Sequence, residues 1–407
     1  MPEPVTNNAV CEGFVADTGY VYSFAGLDST KLYSGIHLKS WRYNTGRDVW
    51  ESLPNVPDTL GKIAASASRV GNIIYLIGGY HVYADGNEKS SNLVHRFDIV
   101  SNTWLPNAAN IPVPIDDQVQ GVWRDSLIYV VTGWSDVANV PNVQIYNPSL
   151  DLWVAGTPTP DNTFYKAFGA AGYIYEDTIY YFGGAAGGQN FPIQKQLRKG
   201  VIDPLNPTQI TWSTKVLQNG LAGYRIGAVR VKEYVHWIGG SDLTYNYDGL
   251  AYNGSGGVLP SGLNLYFKPS GNLLSTEYTP GLPMDIRGVG ELSDEIKILA
   301  GGMQHAQQVS DQTLRLTYVN RIRNSVQKEL QPKIGAVLTS KRDTILLTAD
   351  AAPLAEVEVV ITNVEGRQVS IQKSSPDGAV HLGDLPAGVY FLTLRTRGYE
   401  YVLKVRK

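Results

Sequence analysis

The most constraining feature of the sequence is a short apolar segment that ends in glycine and recurs six times in the first three quarters of the chain. Each copy is rich in β-branched and aromatic residues, and the final glycines of successive copies are 51 to 62 residues apart. Such residues favour strands and glycine permits tight turns, so each repeat predicts one small antiparallel sheet. Sheets repeated at about this period are typical of β-propeller blades. The six copies are Tyr20–Gly26, Ile73–Gly79, Leu127–Gly133, Thr178–Gly184, Tyr234–Gly240 and Ile296–Gly302.

A second pattern follows the glycines and consists of an apolar strand, a polar turn and a tryptophan. It is clearest in Val94–Asp98 before Trp104 and in Val143–Pro148 before Trp153. Tryptophan buries a large apolar area, so we expect these side chains to pack between neighbouring sheets. Together with the glycine pairs, this pattern resembles the kelch-repeat family over roughly residues 9–317. The resemblance implies an all-β fold, a six-bladed kelch-type β-propeller with four strands in each blade.

The last two repeats depart from this pattern. The fifth offers Leu263–Tyr266 and Leu273–Thr276 without a tryptophan, and the sixth shows only Thr313–Leu316 after its glycines. An outer strand is therefore missing from the sixth blade. We expect one end of the propeller segment to supply it, either Met1–Asn8 or Arg321–Val326, and the sequence does not decide between them.

A different set of strand-like runs begins at about Ile334, after the glycine repeat has stopped. Their alternating pattern predicts a small antiparallel, immunoglobulin-like β-sandwich. The charged stretch before it contains Pro332 and has the composition of a linker. We therefore expect a propeller over residues 1–320, a linker over 321–333 and a β-sandwich over 334–407.

Three segments of this sandwich resemble the type A sorting domain of the type IX secretion system of Bacteroidetes. They are the turn Asn363–Arg367, the run Leu385–Phe391 and the basic end Val402–Lys407. The resemblance implies that the secretion machinery reads this domain, and that the protein is extracellular, either released or attached to the outer-membrane surface. The Asn-Pro segment that commonly opens such domains is absent from Val337–Arg342. An accessory sandwich without a sorting role is therefore the alternative.

Composition narrows the class of protein. The 42 glycines and 25 tyrosines, with only 17% charged residues, are typical of many short strands joined by turns. The net charge of −3 has no long basic run, which argues against nucleic-acid binding. No apolar run approaches the roughly 20 residues of a membrane helix, so we expect no transmembrane segment. The single cysteine, Cys11, excludes an intramolecular disulfide, and we expect it to be buried.

Propeller ligands commonly bind at the mouth of the central channel, where loops from every blade meet. When the repeats are aligned on their glycines, five polar residues fall 15 to 18 positions before the last glycine, near the start of each innermost strand. Cations in such a ring would favour an anionic ligand through charge-assisted hydrogen bonds. The alternative is structural, with the cations bound to neighbouring backbone carbonyls. The five residues are Lys62, Gln118, Lys166, Arg225 and Arg287.

The loops that follow the glycines add polar and aromatic side chains. Aromatic faces stack on sugar rings, while carboxylates and amides bind hydroxyl groups, and the same mixture also suits peptides. We therefore expect these loops to contribute to ligand binding. Their candidate residues are His81, Tyr83, Trp134, Asp136, Asp242, Tyr245 and His305.

The sequence shows no convincing acid–base pair, activated nucleophile or metal-ligand spacing. We therefore expect no catalytic residue, cofactor or metal, although enzymatic activity is not excluded. Asp116 and Asp117 are interpreted as solvated loop acids, with general acid–base chemistry as the alternative. His81 and His305 are interpreted as surface or structural residues, with a metal site as the alternative.

These observations predict a secreted or cell-surface binding protein that recognises a glycan or an acidic peptide at the propeller mouth. One alternative is a carbohydrate-active enzyme resembling the kelch-type sialic acid mutarotases. Another is a structural surface component that uses the faces of its blades for protein contacts. Fold alone does not separate these functions.

Overall fold

The structure is a computed structural model that describes residues 1–217, 221–318, 334–338, 343–349, 352–353, 356–396 and 399–407. The chain divides into two compact units, Met1–Val319 and Asn320–Lys407. The expected linker, residues 321–333, lies outside the described residues.

The first half of the first unit contains three antiparallel sheets. The first sheet has the order β1-β2-β3-β4, with β1 (Ala9–Val15), β2 (Thr18–Leu27), β3 (Ile36–Asn44) and β4 (Val49–Leu53). The second has the order β5-β6-β8-β9, with β7 paired to β6: β5 (Ile63–Val70), β6 (Ile73–Val82), β7 (Glu88–Ser90), β8 (Val94–Asp98) and β9 (Thr103–Leu105). The third has the order β10-β11-β14-β15, with a separate hairpin β12-β13: β10 (Val119–Trp123), β11 (Leu127–Val131), β12 (Trp134–Ser135), β13 (Ala138–Asn139), β14 (Val143–Asn147) and β15 (Leu152–Ala155).

Three more antiparallel sheets follow along the chain. The fourth contains β16 (Ala171–Tyr175), β17 (Thr178–Phe182), β18 (Gln196–Asp203) and β19 (Asn206–Val216). The fifth contains β20 (Gly227–Val231), β21 (Tyr234–Ile238), β22 (Leu263–Lys268) and β23 (Leu273–Tyr278). The sixth has three strands within the described residues, β24 (Gly290–Glu291), β25 (Ile296–Ala300) and β26 (Thr313–Thr317). Short 3-10 turns lie at Tyr33–Gly35, Pro269–Gly271 and His305–Gln307.

The predicted all-β architecture with a kelch-like propeller is confirmed. The glycine-ended runs form or include the second strand of each sheet, so one sequence period corresponds to one sheet. The first strands of the sheets are innermost: β1 lies next to β5, and each of β5, β10 and β16 lies next to the first strand of the following sheet. The last sheet returns to the first, because β24 lies next to β1.

The tryptophans that follow the polar turns join neighbouring sheets, as the sequence pattern predicts. The indole N–H of each donates a hydrogen bond of 2.8 to 3.1 Å to a backbone carbonyl of the segment that follows the preceding sheet. Each tryptophan thus combines apolar packing with a satisfied polar group. The pairs are Trp104 with Pro54, Trp153 with Ala109, and Trp212 with Thr157.

The beginning of the chain joins the sixth sheet to the first without forming the expected outer strand. The backbone N–H of Val5 donates to the carbonyl of Ser310 at 3.1 Å, while Thr6 and Leu27 exchange two backbone hydrogen bonds of 2.9 Å. Trp50 adds a further link through its indole N–H, which donates to Thr313 Oγ1 at 2.9 Å. The other segment considered for the outer strand, Arg321–Val326, lies outside the described residues.

A ring of six left-handed residues precedes or opens the innermost strands, one residue for each sheet. We call it the starting ring, and its φ angles lie between 48° and 65°. Backbone N–H groups donate from Asp117 to Ala64, from Gly169 to Asp117 and from Arg225 to Gly169, at 2.7 to 3.1 Å. These bonds connect the sheets around the propeller axis. The ring consists of Asn7, Ala64, Asp117, Gly169, Arg225 and Asp285.

The described residues of the second unit form two four-stranded antiparallel sheets around one apolar core, as expected for a small sandwich. Buried side chains from both sheets form this core, among them Ile345, Leu347, Ile361 and Leu392. One sheet contains β27 (Ile334–Leu338), β28 (Thr344–Ala349), β29 (Ala352–Pro353) and β32 (Ala379–His381). The other contains β30 (Glu358–Asn363), β31 (Gln368–Lys373), β33 (Val389–Thr396) and β34 (Tyr399–Arg406).

Two other sequence expectations can be compared with the described residues. The side chain of Cys11 is buried, as expected, and this burial raises the pKa of its thiol well above the usual value. No helix in the described part of the chain is long and apolar enough to cross a membrane.

Candidate ligand-binding cavity

The innermost strands of the propeller enclose a central cavity of about 420 Å³. All six sheets contribute residues to its lining. Gln118 and Arg287 line it near the starting ring, whereas Phe14, Arg69 and Glu291 line it towards the ends of the innermost strands. This volume is within the range usual for small-molecule sites.

Side chains that cross the propeller axis close the cavity at the starting ring. Arg225, from the fifth sheet, lies 2.8 Å from Asp117 at the start of the third and 3.2 Å from Asp285 at the start of the sixth. Arg287 lies 3.2 Å from the other oxygen of Asp117 and also donates to the carbonyl oxygens of Ala64 and Gln118. Arg225, Asp117 and Asp285 are at most 2% exposed. Solvent is therefore excluded from this end of the channel.

The charges at the closed end balance one another. Two guanidinium groups, of Arg225 and Arg287, face two carboxylates, of Asp117 and Asp285. Burial raises the pKa of Asp285, while the charge of Arg225 opposes that shift. Burial also raises the pKa of Asp116 well above its usual value, and the neighbouring Asp117 raises it further. These shifts favour the neutral form of Asp116, which accepts a hydrogen bond from Ser90 Oγ at 2.5 Å.

Three buried side-chain atoms of the cavity lining have no hydrogen-bond partner among the described residues: Gln118 Oε1, Arg287 Nε and Arg69 Nε. Gln118 is 2% exposed and Arg287 is 7% exposed. The amide N–H of Gln118 donates to the carbonyl of Ile77 at 2.9 Å. A buried polar atom without a hydrogen bond costs about 1–3 kcal/mol. Because these three atoms have almost no solvent-accessible surface, they are a cost within the scaffold and not free binding groups for a ligand.

The outer half of the cavity is also polar, and its charges are paired among the described residues apart from that of the exposed Asp125. Arg69 lies 3.9 Å from Glu12, and Lys297 lies 3.3 Å from Glu291. Burial raises the pKa of Glu291, although the charge of Lys297 opposes this shift. Uncharged polar groups alternate with these pairs, among them Ser66, Ser68, Gln120 and Tyr173. The lining thus offers many hydrogen-bonding groups and little uncompensated charge.

The structure brings together three of the five residues that the glycine alignment singled out, namely Gln118, Arg225 and Arg287. Lys62 is fully buried elsewhere, 2.6 Å from Asp58 and 3.1 Å from the Nε2 of His95. Lys166 pairs with Asp161 at 2.6 Å and does not line the cavity. The expected ring of cations around one funnel is therefore not formed, because the positions sit at different depths and pair with different acids.

The predicted loop residues divide into buried and exposed groups. Tyr245 is fully buried in an apolar cluster, with its hydroxyl 3.5 Å from Asp285, and Asp136 accepts a hydrogen bond from the backbone N–H of Ser90. Trp134 packs against aromatic side chains of that cluster, and the Nδ1 of His81 lies 2.9 Å from the carbonyl oxygen of Gly61. Their contacts are therefore internal. Three residues are exposed: Tyr83, Asp242 and His305.

Asp116 and Asp117 correct one expectation, because they are not solvated. They are 4% and 2% exposed, and Asp117 holds both cavity-end arginines. The sequence analysis did not predict that Asp117 and Asp285 both pair with Arg225. A usable signal was present, since Asp117, Arg225 and Asp285 occupy equivalent places just before the innermost strands. In the described part of the chain, no group of three or more potential metal ligands is found.

Comparisons with known proteins agree with this architecture. Residues 64–106 match the Kelch motif family. Kelch-like protein 36 of Bos taurus is 28% identical over 175 residues, which are 42% of this chain and 26% of that protein. Kelch-like protein 15 of Gallus gallus is 30% identical over 156 residues, or 37% of this chain and 29% of that protein. The matches thus span only about a quarter of the length of these relatives.

The solved structure of YjhT superposes on this chain with a TM-score of 0.63. The aligned part is 79% of this chain and 98% of the YjhT chain. At 14% identity, this likeness supports the fold alone. The chain is thus similar to kelch-repeat proteins in the matched motif and in the aligned parts of these relatives.

Proposed function

We propose that this chain is a binding protein that recognises a glycan in the central cavity of its propeller. The observation that carries the proposal is the polar lining of this cavity, in which the partly exposed, uncharged side chains of Ser66, Gln120 and Tyr173 lie beside paired charges. A sugar hydroxyl both donates and accepts hydrogen bonds, so it complements hydroxyl and amide side chains of this kind.

The charge balance favours an uncharged glycan over an acidic peptide. An anion at the closed end would compete with Asp117 and Asp285 for Arg225, which already holds both carboxylates within 3.2 Å. Three of the cations that suggested an anionic ligand, Lys62, Arg225 and Arg287, are thus paired with buried acids. A neutral hydroxyl-rich ligand needs no such exchange of partners.

A protein partner is the second candidate. The relatives that this chain resembles are kelch-like proteins, and kelch repeats are consistent with protein binding. Such a partner would bind the outer surface of the propeller, and its binding would not depend on Gln118 or Arg287.

The second unit supports an extracellular location through its resemblance to a secretion-sorting domain. The turn Asn363–Arg367 joins β30 to β31, and the run Leu385–Phe391 leads into β33. The basic end coincides with β34, the neighbour of β33. The ammonium group of Lys407 donates to the carbonyl oxygens of Leu382, Gly383 and Leu385. The three segments that carry the resemblance are therefore close together in one unit.

The test is to screen the full-length protein against an array of neutral and acidic glycans, and to measure affinities by titration calorimetry. We expect binding to neutral glycans with little salt dependence, and a loss of at least about tenfold in Gln120→Met, which corresponds to about 1.4 kcal/mol. Gln144→Met is the matched control, because Gln144, like Gln120, is hydrogen-bonded within the propeller but does not line the cavity.

Three other results would count against this proposal. Equal losses in both variants would assign the effect to stability, which thermal melts of each variant would also detect. Salt-sensitive binding restricted to acidic glycans would favour the cationic mouth inferred from the sequence. Binding to no glycan would leave the protein partner as the better hypothesis.

A further inference from the structure

The central cavity has a closed end, and this limits how a chain-like ligand can enter it. Arg225 and Arg287 reach across the propeller axis to residues of other sheets, including Asp117, Ala64 and Ser66. These contacts join residues separated by 108 to 223 positions in the sequence. A polymer therefore cannot thread through the propeller from one face to the other.

The residues that close the cavity belong to the propeller scaffold and not to a loop that covers the opening. Its side chains belong to the starting ring or directly follow it, and the ring is connected by backbone hydrogen bonds between Ala64, Asp117, Gly169 and Arg225. Opening it would leave buried charges unpaired, since Arg225 is 1% exposed and faces two carboxylates. Breaking a buried ion pair in this way is strongly destabilising, because it leaves an uncompensated charge in the interior.

The remaining route into the cavity is from the ends of the innermost strands. Phe14, Arg69, Asp125 and Glu291 line that side, and Phe14 is 40% exposed. The cavity of about 420 Å³ equals the volume of on the order of fourteen liquid water molecules. A hexose has about twelve non-hydrogen atoms, each comparable in size to a water oxygen, so the space suits one sugar ring rather than a longer segment.

We propose that the cavity recognises the terminal residue of a glycan chain and does not accept its internal residues. The inference rests on the proposed function, because it specifies which part of a glycan enters the cavity. An internal residue has neighbours on both sides, and one of them would have to occupy the space filled by Arg225 and its two acids. A terminal residue has one neighbour, which can extend towards the strand-end face.

The experiment uses the full-length protein and neutral malto-, cello-, xylo- and manno-oligosaccharides of two to six units. Each is tested free, with a bulky fluorophore on the reducing end, and with the same fluorophore on the non-reducing end. For the series that binds, we expect one of the two labelled forms to lose at least about tenfold in affinity while the other retains it. Affinity should also stay nearly constant from two to six units, because the number of ends does not change.

The outcomes separate this inference from the proposed function. If both labelled forms bind like the free oligosaccharide, or if affinity rises steadily with chain length, internal residues are recognised and terminal recognition is wrong, while glycan binding stands. If no member of the four series binds, glycan binding itself fails for these sugars and the inference fails with it. Loss of affinity in Gln120→Met for the binding series would place the terminal residue in the cavity.

Discussion

At the scale of single residues, Lys62 and Arg225 show that similar buried cations have different surroundings. Arg225 closes the cavity, whereas Lys62 lies in a separate cluster with Asp58, His95 and Ser91. Its ammonium group has three hydrogen-bond donors, and these three side chains lie 2.6 to 3.2 Å from it. We therefore assign Lys62 a structural role.

The pKa of Asp58, the acid in this cluster, depends in part on Lys62. Burial alone would raise the pKa of Asp58, but its hydrogen bond with His95 and the charge of Lys62 hold that pKa well below the usual 3.8. Because the pKa in the folded state is lowered, the resulting stability is present above pH 3.8 and is lost as the pH falls below that value.

Replacing Lys62 by methionine tests this role. We expect Lys62→Met to lower the free energy of unfolding by about 3–5 kcal/mol, because it leaves a buried carboxylate without its cation. Lys39→Met is the control, since the Lys39–Glu3 pair is more than 40% exposed and is worth about 0–1 kcal/mol. Urea denaturation followed by tryptophan fluorescence measures both. Similar small effects in the two variants would contradict a structural role for Lys62.

At the scale of elements, the starting ring and the tryptophan bridges connect neighbouring sheets at opposite sides of the blades. The ring acts at the innermost strands, where its backbone hydrogen bonds join the second to the fifth sheets. The tryptophans act at the outer strands and join the first to the fourth sheets, as when the indole N–H of Trp153 donates to the carbonyl of Ala109. The second, third and fourth sheets are thus held on both sides, which fixes the positions of the strands that line the cavity.

Gly169 is the ring position at which backbone conformation and packing coincide. Its φ is 65°, and a Cβ there would lie 2.3 Å from the ring of Tyr224. We expect Gly169→Ala to cost about 2–5 kcal/mol, combining left-handed strain of about 1–2 kcal/mol with overpacking of about 1–3 kcal/mol.

Gly86→Ala provides the matched control for this substitution. Gly86 also has a positive φ, 82°, but nothing lies within 4 Å of the position that a Cβ would take there. Only the backbone strain of about 1–2 kcal/mol is therefore expected. Both variants are measured by urea denaturation. Equal losses would show that Tyr224 can move away from the added methyl group at no cost in free energy. The starting ring would then be less rigid than its geometry indicates.

At the scale of the whole molecule, the two units have separate cores and separate proposed roles. The propeller carries the cavity, and the second unit buries its own cluster around Ile345, Ile361 and Leu392. We therefore expect removal of residues 320–407 to abolish export in a bacterium that has a type IX secretion system, while glycan binding by the remaining chain is retained.

The measurement is the amount of protein in the medium and on the cell surface, compared with the full-length chain. Binding of the purified, shortened protein to the glycans identified by the array shows whether the propeller is still folded. Export that continues without residues 320–407 would mean that the second unit is an accessory sandwich and not a sorting domain.

Much of the architecture was predictable because it depends on local patterns. The glycine-ended runs such as Ile73–Gly79 combine strand-forming residues with positions that need a positive φ, and Gly78 and Gly79 have φ angles of 67° and 83°. Trp104 and Trp153 likewise follow a recognisable strand and turn. Period, strand order within a blade and the contacts of these tryptophans were therefore accessible from the sequence.

The cavity itself was decided by tertiary structure. The glycine alignment found Gln118, Arg225 and Arg287, but it also selected Lys62 and Lys166, which lie outside the cavity. Side-chain type does not specify depth or partner, and the acid that neutralises Arg225 is Asp117, 108 positions away. By itself the sequence determined a repeated β-fold with a second small unit, because strands and turns are encoded by neighbouring residues. Which charges meet across the axis, and hence that the channel is closed at one end, was decided by packing the six sheets around it.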